Sequence, residues 1–249
     1  MRRVAVVTGA SSGIGAETAR LLAEHGWRCV LLARREDRLR ALADEIDAEF
    51  DVCDVSDREA VESVAARVRE RHPLVHLLVN NAGIPARADF LTADPAVIES
   101  VLRTNYLGGI WCLRAFLPAL EAAAPSDVVN VVSVAGVVAF GPSGPYSASK
   151  HAQLAFSRST AAQLRRRGIR VHTVKPGFVE TEGFPQRALS ARVRRFVVSP
   201  DAIAEHIVDS VERRRGETTV PRYYGIGGVL QAVFPNLLTD LLVRFRIER

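Results

Sequence analysis

Seven short runs of β-branched and aliphatic residues recur along this chain, each followed by a longer stretch with helical spacing. The runs fall at residues 3–8, 28–33, 48–52, 75–80, 127–132, 169–175 and 218–220. The helical stretches fall at 13–25, 36–46, 57–71, 96–121, 145–167 and 201–213. Runs of this kind belong to strands buried on both faces, and parallel strands need helical crossovers to cover those faces. The alternation therefore predicts an α/β domain with a doubly wound, parallel, seven-stranded sheet and helices on both sides. No linker, repeat or low-complexity tract divides it, so residues 1–222 read as one unit. Two segments stand outside the rhythm. Residues 182–200 are basic and partly apolar, with Arg187, Arg192, Arg194, Arg195, Phe184 and Phe196. Residues 223–249 form an extension expected to pack on the same domain, with two amphipathic stretches: Ile226, Val229, Leu230, Val233 and Phe234, then Leu237, Leu238, Leu241, Leu242 and Phe245.

Composition excludes several classes of function. No apolar run approaches the roughly 20 residues that span a bilayer. The opening run ends at Thr8 and Gly9, too early for a signal peptide, and reads as a first strand. Cys29, Cys53 and Cys112 have no metal-ligand spacing and imply no disulfide framework, which fits a reducing cytoplasm and no bound metal. The net charge is +5, but the arginines are spread over the whole chain without an aromatic-basic stripe, so no nucleic-acid partner is expected. A basic surface instead favours anionic small molecules.

The first strand runs into Thr8, Gly9, Ala10, Ser11, Ser12, Gly13, Ile14 and Gly15, then a helix. Gly9 permits the tight turn, while Gly13 and Gly15 let a phosphate and the sheet come close to the helix start. Free N–H groups and the positive end of the helix dipole suit a pyrophosphate there. The second strand ends in Ala33, Arg34 and Arg35, where an NAD site would carry a carboxylate about twenty residues after the glycines. Arginine pairs with phosphate, so NADP(H) is expected over NAD(H). Asp54 and Val55 follow the third strand. Asp54 can accept from an adenine amino group or cap the next helix, and the local sequence leaves both open. Asn80, Asn81, Ala82 and Gly83 follow the fourth strand, at the sheet end where ligands lie in such folds.

Only two of the 33 basic residues are lysines, and one of them stands four positions after a tyrosine, Tyr146 and Lys150. On a helix these side chains share a face. An ammonium beside a phenol favours the phenolate, lowering a pKa that begins near ~10 and making a proton-transfer device for neutral pH.

Taken in order and spacing, the 8–15 turn, Asp54, Asn80 to Gly83, Asn105, Ser133, Tyr146, Lys150 and the Pro176, Gly177, Phe178, Val179, Glu180, Thr181 run resemble the classical short-chain dehydrogenase/reductases over essentially the full chain. The resemblance implies a Rossmann-type fold and reversible hydride transfer between a nicotinamide and a carbonyl or alcohol. Tyr146 would be the general acid/base, and Lys150 would lower its pKa and hold the nicotinamide ribose, so both also belong to the cofactor-binding set. Ser133 would hydrogen-bond the substrate oxygen, and Asn105 would hold a water relaying protons from Lys150. Pro176, Gly177, Val179 and Thr181 would meet the nicotinamide amide and phosphates, and Asn81, Ala82 and Gly83 the adenosine ribose. The chain departs from the family's common pattern at Ser12, His76, Val132 and Lys175, none of which belongs to the acid/base set.

Val134, Ala135, Phe140, Gly141, Phe178 and Phe184 give the expected substrate wall an apolar character. A hydrophobic ketone or alcohol is the primary expectation and a 3-oxoacyl thioester on an acyl carrier the alternative. A non-catalytic NADPH-binding protein would be expected to lack part of the Asn105, Ser133, Tyr146, Lys150 set, which is complete here. The resemblance also implies a homo-oligomer, dimeric or tetrameric. The apolar faces of 223–249 can complete the core, cover the cleft, form a subunit interface or lie on a membrane surface.

Overall fold

A computed structural model describes residues 2–183 and 194–244. Seven strands form one parallel sheet: β1 (Val4–Thr8), β2 (Arg28–Ala33), β3 (Glu49–Val52), β4 (Leu77–Asn80), β5 (Ser126–Val131), β6 (Ile169–Pro176) and β7 (Glu217–Val220), in the order β3-β2-β1-β4-β5-β6-β7. The chain steps outward from β1 to β3 and then returns to the other side of β1. The loops after β1 and β4 consequently diverge and open a crevice at the carboxyl ends of the strands.

Period-two alternation assigns the strand side chains to two cores. Ala5, Val7, Leu31 and Val129 face one side and pack with Ala19, Leu22, Ile203 and Ile207 from α1 (Gly13–Glu24) and from α7 (Pro200–Glu212). Val6, Val30, Leu78 and Val128 face the other, against Val61, Val64, Phe116 and Leu120 from α3 (Arg58–Arg71) and from α5 (Gly108–Ala122). Both faces are thus dry, which is why the strands read as unbroken apolar runs. Of the remaining helices before the tail, α2 (Glu36–Ile46) opens with Glu36 and Asp37, suited to the positive end of its dipole, and α6 (Gly144–Arg165) crosses back to β6.

The predicted helix over 96–121 runs unbroken from Pro95 to Ala122 but is not α-helical throughout. It divides into α4 (Pro95–Leu102), a π-helical stretch Arg103–Leu107 and α5. The wider turn carries Asn105, whose side chain bonds the backbone of Ile84, outside its own helix. Such bulges are frequent at functional sites. Gly108 follows at once because a Cβ there would stand 2.8 Å from Val55 Cγ2.

The base of the connection after β6 is pinned by a parallel bridge between Val179 and Val198, with Val198 N–H donating to the Phe178 carbonyl and Glu180 N–H to that of Val198. Phe184, Arg187 and Arg192 lie outside the described residues, as does Phe245. The tail forms α8 (Gly225–Val233) and α9 (Pro235–Arg244). Gly227 and Gly228 press on Val138 and Val137, and Leu238 is buried. Ile226, Val229, Val233, Phe234 and Leu237 remain exposed. No helix among the described residues is long and apolar enough to cross a membrane.

Candidate active site

Helix α6 places Tyr146 and Lys150 on one face, and Ser133, just past the end of β5 at Val131, stands beside them. Ser133 caps the 3₁₀ turn Val134–Gly136, its Oγ accepting from Ala135 N–H at 3.1 Å, and it also hydrogen-bonds the Tyr146 phenol. Gly136 lacks a Cβ where one would stand 2.8 Å from the Lys150 carbonyl oxygen, so the 3₁₀ turn can lie directly on α6. Burial pushes the Tyr146 phenol above its ordinary range, and the Ser133 hydrogen bond acts against that, towards the phenolate. Lys150 is also buried, which lowers its amine to about 7. Its Nζ donates to the Val131 carbonyl at 3.2 Å and to Gln153 Oε1 at 2.8 Å, and lies 5.7 Å from the Tyr146 ring centroid. The expected pKa device is therefore two-sided here. The desolvation that strengthens a charge inside the site also opposes forming one.

Asn105 is buried and fixed on three sides. Its Oδ1 accepts from Ile84 N–H at 2.8 Å, and its Nδ2 donates to the Ile84 carbonyl at 3.0 Å and to Ser149 Oγ at 3.1 Å. Ser149 Oγ in turn donates to the Tyr146 carbonyl at 2.7 Å. The Asn105 side chain thus braces the loop after β4 against the helix that carries Tyr146. Gly83 sits between the two: a Cβ there would meet Asn105 Oδ1 at 3.3 Å and Lys150 Nζ at 3.7 Å.

The nucleotide end is built around two touching loops. Gly9 and Gly13 adopt φ of +67° and +56°, the left-handed region in which a side chain is strained. A Cβ on Gly15 would stand 2.4 Å from the Gly9 carbonyl oxygen and 2.5 Å from Asn81 Nδ2. Asn81 Nδ2 donates to the carbonyls of Thr8 and Gly9, and Thr8 Oγ1 accepts from Asn81 and Ala82 N–H. Asn81 therefore ties the β4 loop to the β1 turn. Helix α1 starts without a described side-chain cap and without an acidic residue in its first turn. Its first amides are left to an anion, and the donor set fits a pyrophosphate.

Arg34 and Arg35 diverge. Arg34 is mostly exposed, 3.8 Å from Asp54. Arg35 folds over the turn, donating to Ser11 Oγ at 3.1 Å and Ser12 Oγ at 2.7 Å. Asp54 does not cap α3: it accepts from Ser56 N–H, while Asp57 caps the helix through Glu59 and Ala60 N–H. Val55 is buried against Gly108.

The sequence matches the short chain dehydrogenase family model over residues 3–190. The chain belongs to that family. Among its relatives is a putative ketoacyl reductase of Streptomyces coelicolor, 37% identical over 72% of this chain and 71% of that one. Two solved short-chain dehydrogenases superpose with a TM-score of 0.84 at 26% identity. One, from Burkholderia cenocepacia in complex with NADP, matches over 97% of each chain. The other, from Burkholderia phymatum in complex with NAD, matches over 95% of each. This short-chain dehydrogenase is accordingly an NAD(P)-binding oxidoreductase acting on CH–OH or C=O groups.

Within it, the structure explains three of the departures from the common pattern. His76 Nδ1 accepts from Val4 N–H at the start of β1, Lys175 pairs with Glu217 at 2.5 Å, and Val132 is buried. Val134 and Ala135 are buried and Phe140 is half-buried, while Phe178 meets Tyr224 edge-on at 5.8 Å. Pro176 ends β6, and a Cβ on Gly177 would stand 2.2 Å from the Tyr224 ring. Val179 is buried, and Thr181 Cγ2 faces Gly13. Four residues escaped the sequence reading. Gln153 holds Lys150, Tyr224 covers Gly177, Phe90 packs on Gly144 and Glu182 pairs with Arg35. Only Gln153 had a local signal, as an amide three positions after Lys150 on the same helix.

Proposed function

We infer that this short-chain dehydrogenase reduces the carbonyl of a hydrophobic small molecule, or oxidises the corresponding alcohol, with NADP(H). The observation that carries the reading is the meeting of Ser133, Tyr146 and Lys150 in a fold whose glycine turn after β1 is flanked by Arg35. The nicotinamide, when bound, supplies or accepts the hydride. The chain's own residues manage the oxygen and the proton. In reduction, Tyr146 gives its phenolic proton to the carbonyl oxygen as charge develops there, and Ser133 donates a hydrogen bond to that same oxygen. Lys150, fixed by Val131 and Gln153, sets the electrostatics of the phenol and holds the nicotinamide ribose. Asn105 keeps Ile84 and Ser149 in register so that the β4 loop and α6 stay together.

Gly9, Ser11, Ser12, Gly13, Ile14 and Gly15 hold the pyrophosphate, and Arg34 and Arg35 the 2′-phosphate. Asp54 and Val55 line the adenine, Asn81, Ala82 and Gly83 the adenosine ribose, and Pro176, Gly177, Val179 and Thr181 the nicotinamide end. The apolar surroundings of Val134, Ala135, Phe140 and Phe178 favour a hydrophobic substrate. A 3-oxoacyl thioester is the second reading, favoured by the likeness to the ketoacyl reductase. The test is an NADPH-oxidation screen over aliphatic and aromatic ketones, sugars and 3-oxoacyl thioesters, with the reverse screen over alcohols. Turnover confined to sugars would refute the hydrophobic-substrate reading.

A further inference from the structure

Glu182 reaches back across the nucleotide end of the site. Its Oε2 accepts from Arg35 Nη1 at 2.8 Å and from Arg38 Nη1 at 2.6 Å, and its Oε1 from Arg38 Nη2 at 2.9 Å. The same Arg35 guanidinium bonds Ser11 and Ser12 of the phosphate turn. Glu182 directly follows Thr181, which lies on Gly13. A carboxylate thus sits between Arg35, which bonds the turn, and Arg38. Carboxylate and phosphate oxygens satisfy a guanidinium fork with the same geometry.

We propose that Glu182 is a specificity-determining residue: a built-in anion, anchored by Arg38, that competes with the cofactor's 2′-phosphate for Arg35, and so limits the margin by which NADP(H) is bound over NAD(H). This rests on the NADP(H) reading given above. A 2′-phosphate gains the Arg35 edge that faces Glu182 only by displacing a carboxylate already bonded to it. A cofactor without that phosphate leaves the Glu182 pairs intact and forfeits nothing. The pairs are partly exposed, with Glu182 at 52% and the arginines at 39% and 44%, so the competition is modest and weakens with salt. The two pairs hold the Glu182 carboxyl down at about 2, so it remains a competing anion across the whole working pH range.

Titration calorimetry of the full chain with adenosine 2′,5′-bisphosphate and with ADP tests this without any turnover. Glu182→Gln should bind the bisphosphate roughly threefold to tenfold more tightly at low salt and ADP unchanged, the gain shrinking at high salt. Unchanged or weaker bisphosphate binding by Glu182→Gln, in a protein whose Arg35→Ala variant loses bisphosphate affinity, would overturn the competition while leaving the NADP(H) reading standing. If Arg35→Ala alters neither nucleotide and wild type binds ADP as well as the bisphosphate, the NADP(H) reading falls and the proposal with it.

Discussion

Lys150 Nζ donates a hydrogen bond to Gln153 Oε1 at 2.8 Å, and both side chains are buried. An amide oxygen there favours the ammonium over the amine in a place where desolvation does the reverse. Gln153 is thereby a positioning residue for the amine beside Tyr146. Gln153→Leu removes the acceptor at nearly constant volume. The ammonium is then less favoured and the phenol ionises with more difficulty. In the alcohol-oxidising direction the pH profile of kcat should move upward by about one unit, with kcat at neutral pH reduced roughly tenfold. An unmoved profile with altered thermal stability would reduce Gln153 to packing.

Burial of Lys150 has a cost in stability whose sign can be worked out. Its amine titrates at about 7 in the folded chain, against about 10.4 when unfolded. Between these values the unfolded chain binds a proton that the folded chain does not, so this contribution grows as pH rises and is lost as pH falls through about 7. Lys150→Met abolishes the effect. The Tm of Lys150→Met relative to wild type should be highest at pH 6 and decline by several degrees towards pH 10. The unpaired Gln153 amide it leaves is a pH-independent cost, so the slope carries the test. A difference that does not vary with pH would contradict the burial of a titrating amine.

Gly177 has no room for a side chain, since a Cβ would lie 2.2 Å from Tyr224 Cε2. Gly177→Ala should destabilise by about 1–3 kcal/mol through displacement of the ring. Combined with Tyr224→Ala, its effect should be far from additive, because the two residues share one contact. Strict additivity in thermal denaturation would show that the ring does not rest on Gly177.

On the proposed reading, cofactor choice turns on Arg35. We expect kcat/KM to favour NADPH over NADH, and Arg35→Ala to lower the NADPH value by roughly 10- to 100-fold with NADH little changed, the scale of one charge-assisted contact. A preference for NADH above tenfold in wild type would contradict the assignment.

Much of this was legible in the sequence for a physical reason. A strand buried on both faces must be apolar throughout, so β1, β2 and β4 stand out as Val4–Thr8, Arg28–Ala33 and Leu77–Asn80 with little error at their ends. The turn glycines were equally legible, because Gly9 and Gly13 adopt a backbone that side chains resist. What could not be read depends on partners distant in sequence. The π-helical turn at Asn105 exists to serve Ile84, 21 positions away, and a continuous apolar periodicity conceals it. Arg35 and Glu182 are 147 positions apart, and nothing local marks either as the other's partner. Spacing alone predicts a lowered Tyr146 phenol, because it gives proximity to Lys150 but not the burial that pushes the phenol up.

The central claim is that Tyr146 moves the proton to and from the substrate oxygen. Tyr146→Phe keeps the ring and removes only the hydroxyl. With any substrate the screen identifies, it should lower kcat by roughly 10²- to 10⁴-fold while leaving the Kd for NADPH, measured by fluorescence titration, within a factor of a few. A kcat near that of wild type in this variant would contradict the account.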